Sequence, residues 1–434
     1  MINIEEEKTS LKDKNTLYLG CVADDFTGAS DAASFLVKEG IKTYLFNGIP
    51  KKDIKLDCNA IIIALKTRNQ DAKEAVKETL EAFQWLEKKG AKQFYFKYCS
   101  TFDSTPKGNI GPVIDAVMEA YDIPYTVLCP SLLANDRRVK NGELLVKGVP
   151  LDQSPMKNHP LTPMWSSKIE ELMKDQGKYQ SIQISAEDLE GDSSEIDEKI
   201  HGTMNKGKGY LIPDFYEEKH GARIVELFGD LRLLTGGSGL LSHLGKRFVK
   251  NSGVLQNQNR ETGTKGKGIL LAGSCSTATL RQIAEYESRG HQCYKVDPLK
   301  VLNGEQNVEK IWEDITRLKE DDILIYSSDD VENVRKAQKA GKEKVAEKLE
   351  TTMKELAVKA MGHHYKRIVV AGGETSGAVT QGLGYTTYQV GESIAPGVPI
   401  LIPLNQPEVR LVLKSGNFGQ KDFFVKAMEM TKKD

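Results

Sequence analysis

The sequence predicts an α/β protein of two domains, each a mainly parallel sheet flanked by helices, with a cleft between them. Three observations carry this. Short β-branched or apolar runs alternate with longer segments of helical period. The chain, at 434 residues, is too long for one ordinary core. A polar stretch, "KNSGVLQNQNRETGTKGKG", separates two such alternating halves and is too rich in Gly, Asn, Gln, Thr and Lys to bury much. The expected organisation is an N-terminal domain over residues 1–250, a linker over 251–267 and a C-terminal domain over 268–434.

Taken in order, the strand candidates of the first half are "LYLGCVA", "AIIIAL", "FYFKYCS", "TVLCP" and "LRLLTG"; those of the second are "GILLAGS", "ILIYSS", "RIVVAGG" and "PILIPL". Between them, "DAKEAVKETLEAFQWLEKKG" (71–90) reads as a helix, with Ala75, Leu80, Phe83 and Leu86 near one face and Gly90 as its stop. Residues 331–361 carry further helical period. The 60 Lys+Arg balance 61 Asp+Glu with no long single-sign block, which argues against nucleic acid or an anionic membrane surface as partner. Six cysteines (Cys21, Cys58, Cys99, Cys129, Cys275, Cys293) form no CxxC pair and read as reduced thiols of a cytoplasmic protein. The first fifteen residues are polar and acidic, and no apolar run approaches the ~20 residues that span a bilayer. The expectation is a chain neither exported nor inserted.

In open parallel sheets ligands gather where strands end, so the residues after each apolar run matter most. "LYLGCVA" is followed by Asp24, Asp25, Thr27 and Gly28; "AIIIAL" by Lys66, Thr67, Arg68 and Asn69; "FYF" by "KYCSTFDSTPKGNIG". After later runs come "TGGSG" (235–239), "GSCS" (273–276), "GGETSG" (372–377) and "KSGNFG" (414–419). The first half thus offers charges and the second offers glycines and hydroxyls. One domain would hold a small polar substrate through carboxylates and cations, the other would present backbone N–H groups to phosphate. Asp24 or Asp25 could instead cap the next helix, and Arg68 and Lys97 could be ordinary surface cations. "GGETSG" alone could be a tight turn capped by Thr375 or Ser376, but the recurrence of small-residue turns favours an anion cradle. Neither a Walker loop nor G-x-G-x-x-G occurs. Nor does any zinc-ligand spacing. Ser238 in "GGSGL" has the wrong spacing for a nucleophile elbow. His363 and His364 read as a solvated helix end, and His159 in "NHPLTPM" as loop structure or a substrate contact.

The ordered segments "ADDFTGASDAASFL", "LKTR", "FKYCSTFDSTPKGNIGPV", "NHPLTPM", "TGGSGL", "AGSCS", "VAGGETSGAVTQGLG", "APGVP" and "LKSGNFG" resemble the four-carbon acid sugar kinase family, most closely its 3-oxo-tetronate 4-kinase branch. The resemblance runs from about Leu17 to Phe424 and is weak around 165–230 and 295–365. It implies a sugar-acid-binding N-terminal domain, a nucleotide-binding C-terminal domain, and phosphorylation of a terminal hydroxyl with ATP and Mg²⁺. Carried over, the substrate side falls on Asp24, Asp25, Arg68, Lys97, Asp103, Ser104, Gly108, Asn109, Ile110 and Gly111. The nucleotide side falls on Ser274, Gly373, Glu374, Thr375, Ser376 and Gly416. Arg68 and Lys97 would clamp the substrate carboxylate, Asp24 would orient hydroxyls and Asp25 would be the base. Branch identity rests on "KYCSTFDST"; "LLANDRR" (132–138) departs from the expected Asn-Gly-Arg loop. Threonate or erythronate are the alternative substrates, and a non-catalytic sugar-acid sensor is the alternative class. Hydride transfer lacks the dinucleotide fingerprint. A homodimer is compatible with the family.

Overall fold

A computed structural model describes residues 17–51, 54, 56–159, 161–204, 207–252, 262–318, 320–329 and 341–433. The chain divides into two compact units, Met1–Gln258 and Asn259–Asp434. Each has its own run of parallel strands, and no described helix is long and apolar enough to cross a membrane.

The strands of the first unit are β1 (Leu19–Ala23), β2 (Thr43–Asn47), β3 (Ala60–Ala64), β4 (Gln93–Lys97), β5 (Tyr125–Cys129), β6 (Arg137–Lys140), β7 (Glu143–Val146), β8 (Val149–Pro150), β9 (Gln180–Ile184), β10 (Gly209–Pro213) and β11 (Leu233–Gly236). The main sheet runs β2-β3-β1-β4-β11-β5-β10-β9, and its pairings are parallel. Strands β1, β3 and β4 are buried along their whole length, as parallel strands covered on both faces must be. Strands β6 to β8 form a small separate antiparallel sheet, whose first strand begins at the last two residues of "LLANDRR".

Three helices position this unit's strand ends: α1 (Phe26–Lys38), α2 (Ala72–Lys88) and α3 (Ile110–Ala120). Asp71 caps α2 by accepting from Lys73 N at 2.9 Å, and Gly90 ends it at φ +93°, a conformation glycine reaches without strain. Ala75, Thr79, Ala82, Phe83 and Leu86 form its buried face, and Leu80 sits half-buried beside it. A fourth helix, α4 (Gly239–Ser252), packs against α1.

The second unit contains β12 (Lys267–Ala272), β13 (Cys293–Lys295), β14 (Asp322–Tyr326), β15 (Tyr365–Ala371), β16 (Thr387–Ala395), β17 (Val398–Pro403) and β18 (Arg410–Lys414) in the order β13-β14-β12-β15-β18-β17-β16. The first five of these are parallel, while β17 runs antiparallel to both neighbours, so "PILIPL" is the middle of an antiparallel edge. Leu270, Leu324, Val369, Ile400 and Val412 pack with Phe423, Phe424 and Met428 in this unit's core. Its helices at the strand ends are α5 (Thr277–Ser288), α6 (Gly373–Leu383) and α7 (Phe423–Thr431).

Three expected features fall partly or wholly outside the described residues: the polar N-terminal stretch 1–15, the linker core 253–261 and the segment 330–340. Of the expected linker, Asn251 and Ser252 complete α4, and Thr264 is tied down by Thr264 N to Thr431 O at 2.8 Å and Lys433 N to Thr264 O at 3.1 Å. The helix expected near 331–361 is described as Lys342–Gly362.

Candidate functional site

In the first unit the sheet register brings the ends of β1, β3, β4, β11 and β5 level. Ala23 lies beside Ala64 and Lys97, Lys97 beside Gly236, and Gly236 beside Cys129. The chain runs outward from β1 to β2, returns through β3 and then crosses to β4, so β1 is where the winding reverses and ligands collect. The backbone seals the corner: Asp24 N donates to Lys97 O at 3.0 Å and Thr67 N to Asp24 O at 3.0 Å.

The charged side chains of this corner interlock. Arg68 grips Asp24 through Nε to Oδ2 at 2.9 Å and Nη2 to Oδ1 at 2.8 Å, a fork on a carboxylate. Its third nitrogen, Nη1, stands 2.9 Å from Asp25 Oδ2. The other oxygen of Asp25 caps α1, accepting from Gly28 N at 2.6 Å. Asp25 thus does the capping that Asp24 was equally placed to do. The Asp24 side chain is 4% exposed and that of Asp25 29%, so only Asp25 offers an oxygen to an incoming ligand. Asp24 was expected to orient substrate hydroxyls; in this structure both its oxygens hold Arg68. Burial pushes the Asp24 carboxyl up against the pull of Arg68. Burial is the largest single influence on Arg68 and opposes its charge, but Asp24, Cys99 and Asp25 together outweigh it and hold the guanidinium well above its ordinary value.

Lys97 is buried at the last position of β4, with Nζ donating to Tyr98 O at 2.7 Å. A Cβ on Gly28 would lie 2.5 Å from Asp25 Oδ1 and 3.2 Å from Lys97 Nζ, so only glycine lets these two groups close over the start of α1. Behind Lys97 stands Asp31, a carboxylate that pattern reading missed. It is buried on α1 and accepts a short hydrogen bond from Ser238 Oγ. Burial pushes its carboxyl up, while Lys97 and Ser238 pull the other way. Three carboxylates therefore face two cations.

"TGGSG" belongs to this corner, against the expectation that its glycines repeat a phosphate cradle. A Cβ on Gly236 would lie 2.0 Å from Cys129 O, on Gly237 2.6 Å from Pro130 O, and on Gly239 2.4 Å from Ser131 O. These glycines let the end of β11 press against the backbone after β5, and Ser238 between them reaches Asp31.

The loop after β4 is braced from inside. Asn109 Nδ2 donates to Thr67 O at 2.6 Å and Gln70 O at 3.1 Å, fastening this loop to the one after β3. Gln176 Oε1 accepts from Gly111 N at 3.0 Å and Ser104 Oγ at 3.3 Å. A Cβ on Gly108 would strike Ser104 Oγ at 1.8 Å, and Ile110 is buried. Ser104, Gly108, Asn109, Ile110 and Gly111, all expected on the substrate side, thus come together in one internally braced loop. Asp103, half-buried and accepting from Thr101 Oγ1 at 2.6 Å, is the one expected residue of the loop whose carboxylate lies partly open. Phe102 is buried in the left-handed region at φ 51°, uncommon outside glycine and a sign of a tightly determined loop. His159 Nδ1 accepts from Thr162 N at 3.1 Å, which closes a turn.

In the second unit Ala272 is level with Tyr326 and Ala371, and Ala371 with Lys414. The winding reverses at β12, because the chain goes outward to β13, returns as β14 and then crosses to β15. Helices α5 and α6 begin at this reversal. Ser276 caps α5, accepting from Thr279 N at 3.2 Å, whereas α6 has no side-chain cap. Its first residues, Gly373 and Glu374, are exposed, so amides of this helix start are free to meet an anion. Gly372, at φ +129°, makes the turn that only glycine takes easily. Around it, a Cβ on Gly273 would lie 2.2 Å from Thr375 Oγ1, and one on Gly416 2.3 Å from Ser274 Oγ. The structure thus gathers Ser274, Gly373 to Ser376 and Gly416 at one edge, and the buried Ser376 Oγ has no hydrogen-bond partner among the described residues. Lys414, buried at the end of β18, was missed by pattern reading; burial pushes its ammonium down to about 8. Among the described residues no group of three or more His, Cys, Asp or Glu could hold a metal.

A family model for a sugar-binding N-terminal domain matches residues 19–244, and one for a nucleotide-binding C-terminal domain matches 269–424. The chain is 39% identical over 418 residues to the 3-oxo-tetronate kinase of Actinobacillus succinogenes, covering 95% of this chain and 100% of that one. It is 38% identical to the 3-oxo-tetronate kinase of Haemophilus influenzae over 95% of this chain and 99% of the relative. A crystal structure of a Haemophilus influenzae protein superposes with a TM-score of 0.84 at 38% identity, covering 95% and 99% of the two chains. With two domain models and near-full-length relatives in agreement, this chain belongs to the four-carbon acid sugar kinase family, beside the 3-oxo-tetronate kinases.

Proposed function

We propose that the chain is a kinase that transfers the γ-phosphoryl group of ATP to the C4 hydroxyl of a four-carbon sugar acid, 3-oxo-tetronate, giving the 4-phosphate and ADP. The observation that carries this is the Asp24–Arg68–Asp25 cluster with Lys97 at the winding reversal of one unit, in a chain whose other unit ends its strands at an uncapped helix. One arrangement suits a small polyhydroxy anion, the other a phosphate.

Phosphoryl transfer asks for an aligned acceptor, neutralised charge and a group to take the hydroxyl proton. Asp25 is the base: it is the one carboxylate of the pair with exposed oxygen, and the bonds from Gly28 N and Arg68 Nη1 fix its direction. The substrate carboxylate is held by the remaining N–H groups of Lys97 and Arg68, with Asp103 accepting from a substrate hydroxyl. Asp24 and Asp31 keep the two cations in place. The amides starting at Gly373, with Thr375, Ser376 and Ser274, hold the phosphates of ATP, and Gly416 lets the chain pass close beside them. ATP enters as its Mg²⁺ complex. The ion would be held by the phosphates and would neutralise their charge. The six unpaired cysteines favour a cytoplasmic location.

The test is ADP release measured across four-carbon acids, with 3-oxo-tetronate, threonate and erythronate in the panel. The highest kcat/KM is expected for 3-oxo-tetronate; a preference for threonate or erythronate refutes the substrate, and ATP-independent binding of every acid without ADP release refutes the kinase. Asp25→Asn should lower kcat by about 10²–10⁴-fold while nucleotide binding persists.

A further inference from the structure

The loop after β18 contains a backbone arrangement whose purpose packing does not explain. Three donors converge on one carbonyl oxygen, that of Gly416: Ser276 Oγ at 2.7 Å, Lys414 Nζ at 2.9 Å and Thr279 Oγ1 at 3.0 Å. A carbonyl oxygen has two lone pairs, so a third donor, and a charged one, marks a peptide held far more firmly than a surface turn needs. Lys414 Nζ also donates to Thr279 Oγ1 at 3.1 Å, which fixes the direction of that hydroxyl.

This carbonyl belongs to the middle peptide of a β-turn. Phe418 N donates to Ser415 O at 3.2 Å, with Gly416 and Asn417 as the central residues, neither at positive φ. The common turn types differ by a flip of this central peptide, and Asn at the third position tolerates either form. The three donors remove the choice. In a planar trans peptide the N–H points opposite to the C=O, so pinning the Gly416 carbonyl inward aims the Asn417 N–H outward. Asn417 is exposed, and its N–H has no acceptor among the described residues. Gly416 also lies against Ser274, within the edge assigned to nucleotide.

We propose that Lys414 is a positioning residue for the nucleotide: with Ser276 and Thr279 it locks the Gly416–Asn417 peptide so that the Asn417 N–H is a fixed donor to a phosphate group. The inference rests on the nucleotide-binding reading of this unit and adds to it a contact and the residue that sets it. The ammonium also polarises the peptide, which strengthens the N–H as a donor. Lys414 sits 5.8 Å from the ring of Phe423 and 6.0 Å from that of Phe424, in surroundings that would accept an apolar side chain. A charge kept in such a place disfavours folding, as groups retained for function often do.

Lys414→Met replaces the ammonium with a side chain of similar length. The expected result is an ATP KM raised about tenfold, the equivalent of ~1.4 kcal/mol, with the KM for the sugar acid unchanged. The kcat should stay within about twofold, a split that general loosening would not give. In ¹⁵N-labelled wild-type protein the Asn417 amide proton should move downfield on addition of ADP, and in Lys414→Met this shift should shrink. Thr279→Val, which removes one donor and the acceptor that orients Lys414, should give the same split and serves if Lys414→Met does not fold. An unchanged ADP affinity in these variants, or an Asn417 amide insensitive to ADP in the wild type, overturns the inference and leaves the kinase reading standing. A wild-type protein that binds no ADP overturns both.

Discussion

Replacing Arg68 by Met should reveal how the first unit sustains its charged corner. The guanidinium makes both side-chain contacts that neutralise Asp24, whose side chain is 4% exposed, while the aliphatic stem that Met retains keeps the packing. Breaking a buried ion pair by removing one partner costs about 3–5 kcal/mol, because the charge left behind is uncompensated. Arg68 is 22% exposed, so water reaches one side of the gap, and Lys97 remains nearby. The lower end, about 3 kcal/mol, is therefore expected. For a unit of this size that corresponds to roughly 6–12 °C in Tm. The assay is urea and thermal denaturation of wild type, Arg68→Met, Asp24→Asn and the double variant. The double variant should recover at least half of the loss, because no orphan charge remains.

The pH dependence of that loss has a definite sign. Burial already pushes Asp24 up, and without Arg68 it pushes further. A carboxyl whose folded pKa exceeds its unfolded value of about 3.9 binds more protons when folded, so stability falls as pH rises from there through the folded pKa. The defect should be smallest at the acid end and full at neutral pH. A loss below about 1 kcal/mol, a loss independent of pH, or no recovery in the double variant would refute the reasoning.

Other outcomes rest on the same geometry. Asp31→Asn keeps an acceptor for Ser238 and removes a carboxyl whose folded pKa is raised by burial, so the fall of stability with rising pH above about 4 should flatten; pH-resolved denaturation checks it. Gly372→Ala forces a Cβ into φ +129° and within 3.2 Å of Ser274 N, which should cost about 1–3 kcal/mol and weaken ADP binding by calorimetry while the sugar acid still binds.

The strand ends of β1, β3 and β4 were legible because parallel strands buried on both faces leave continuous apolar runs, and the polar residues just beyond such runs stand out. The charged pair Asp24 and Asp25 was found this way, and so were Arg68 and Lys97. Which aspartate caps and which faces a ligand was not legible, since that depends on a guanidinium 44 residues away. Asp31 was missed because a lone Asp on a helix looks solvated, and its partner Ser238 lies 207 residues further along the chain. Lys414 was missed for a similar reason: a Lys closing a strand reads as exposed until Phe423 and Phe424 are folded over it. Strand direction in "PILIPL" was also invisible, because an apolar run looks the same in either orientation.

The bare glycines of "TGGSG" have a practical corollary for anyone who wishes to change which acid the protein accepts. With Gly236, Gly237 and Gly239 each backed by main chain at under 3 Å, randomising that wall would yield misfolded clones and no new selectivity. On the proposed reading, libraries should instead diversify Lys66, which is exposed, and Thr105, which is half-buried, because both follow strands that end at this corner.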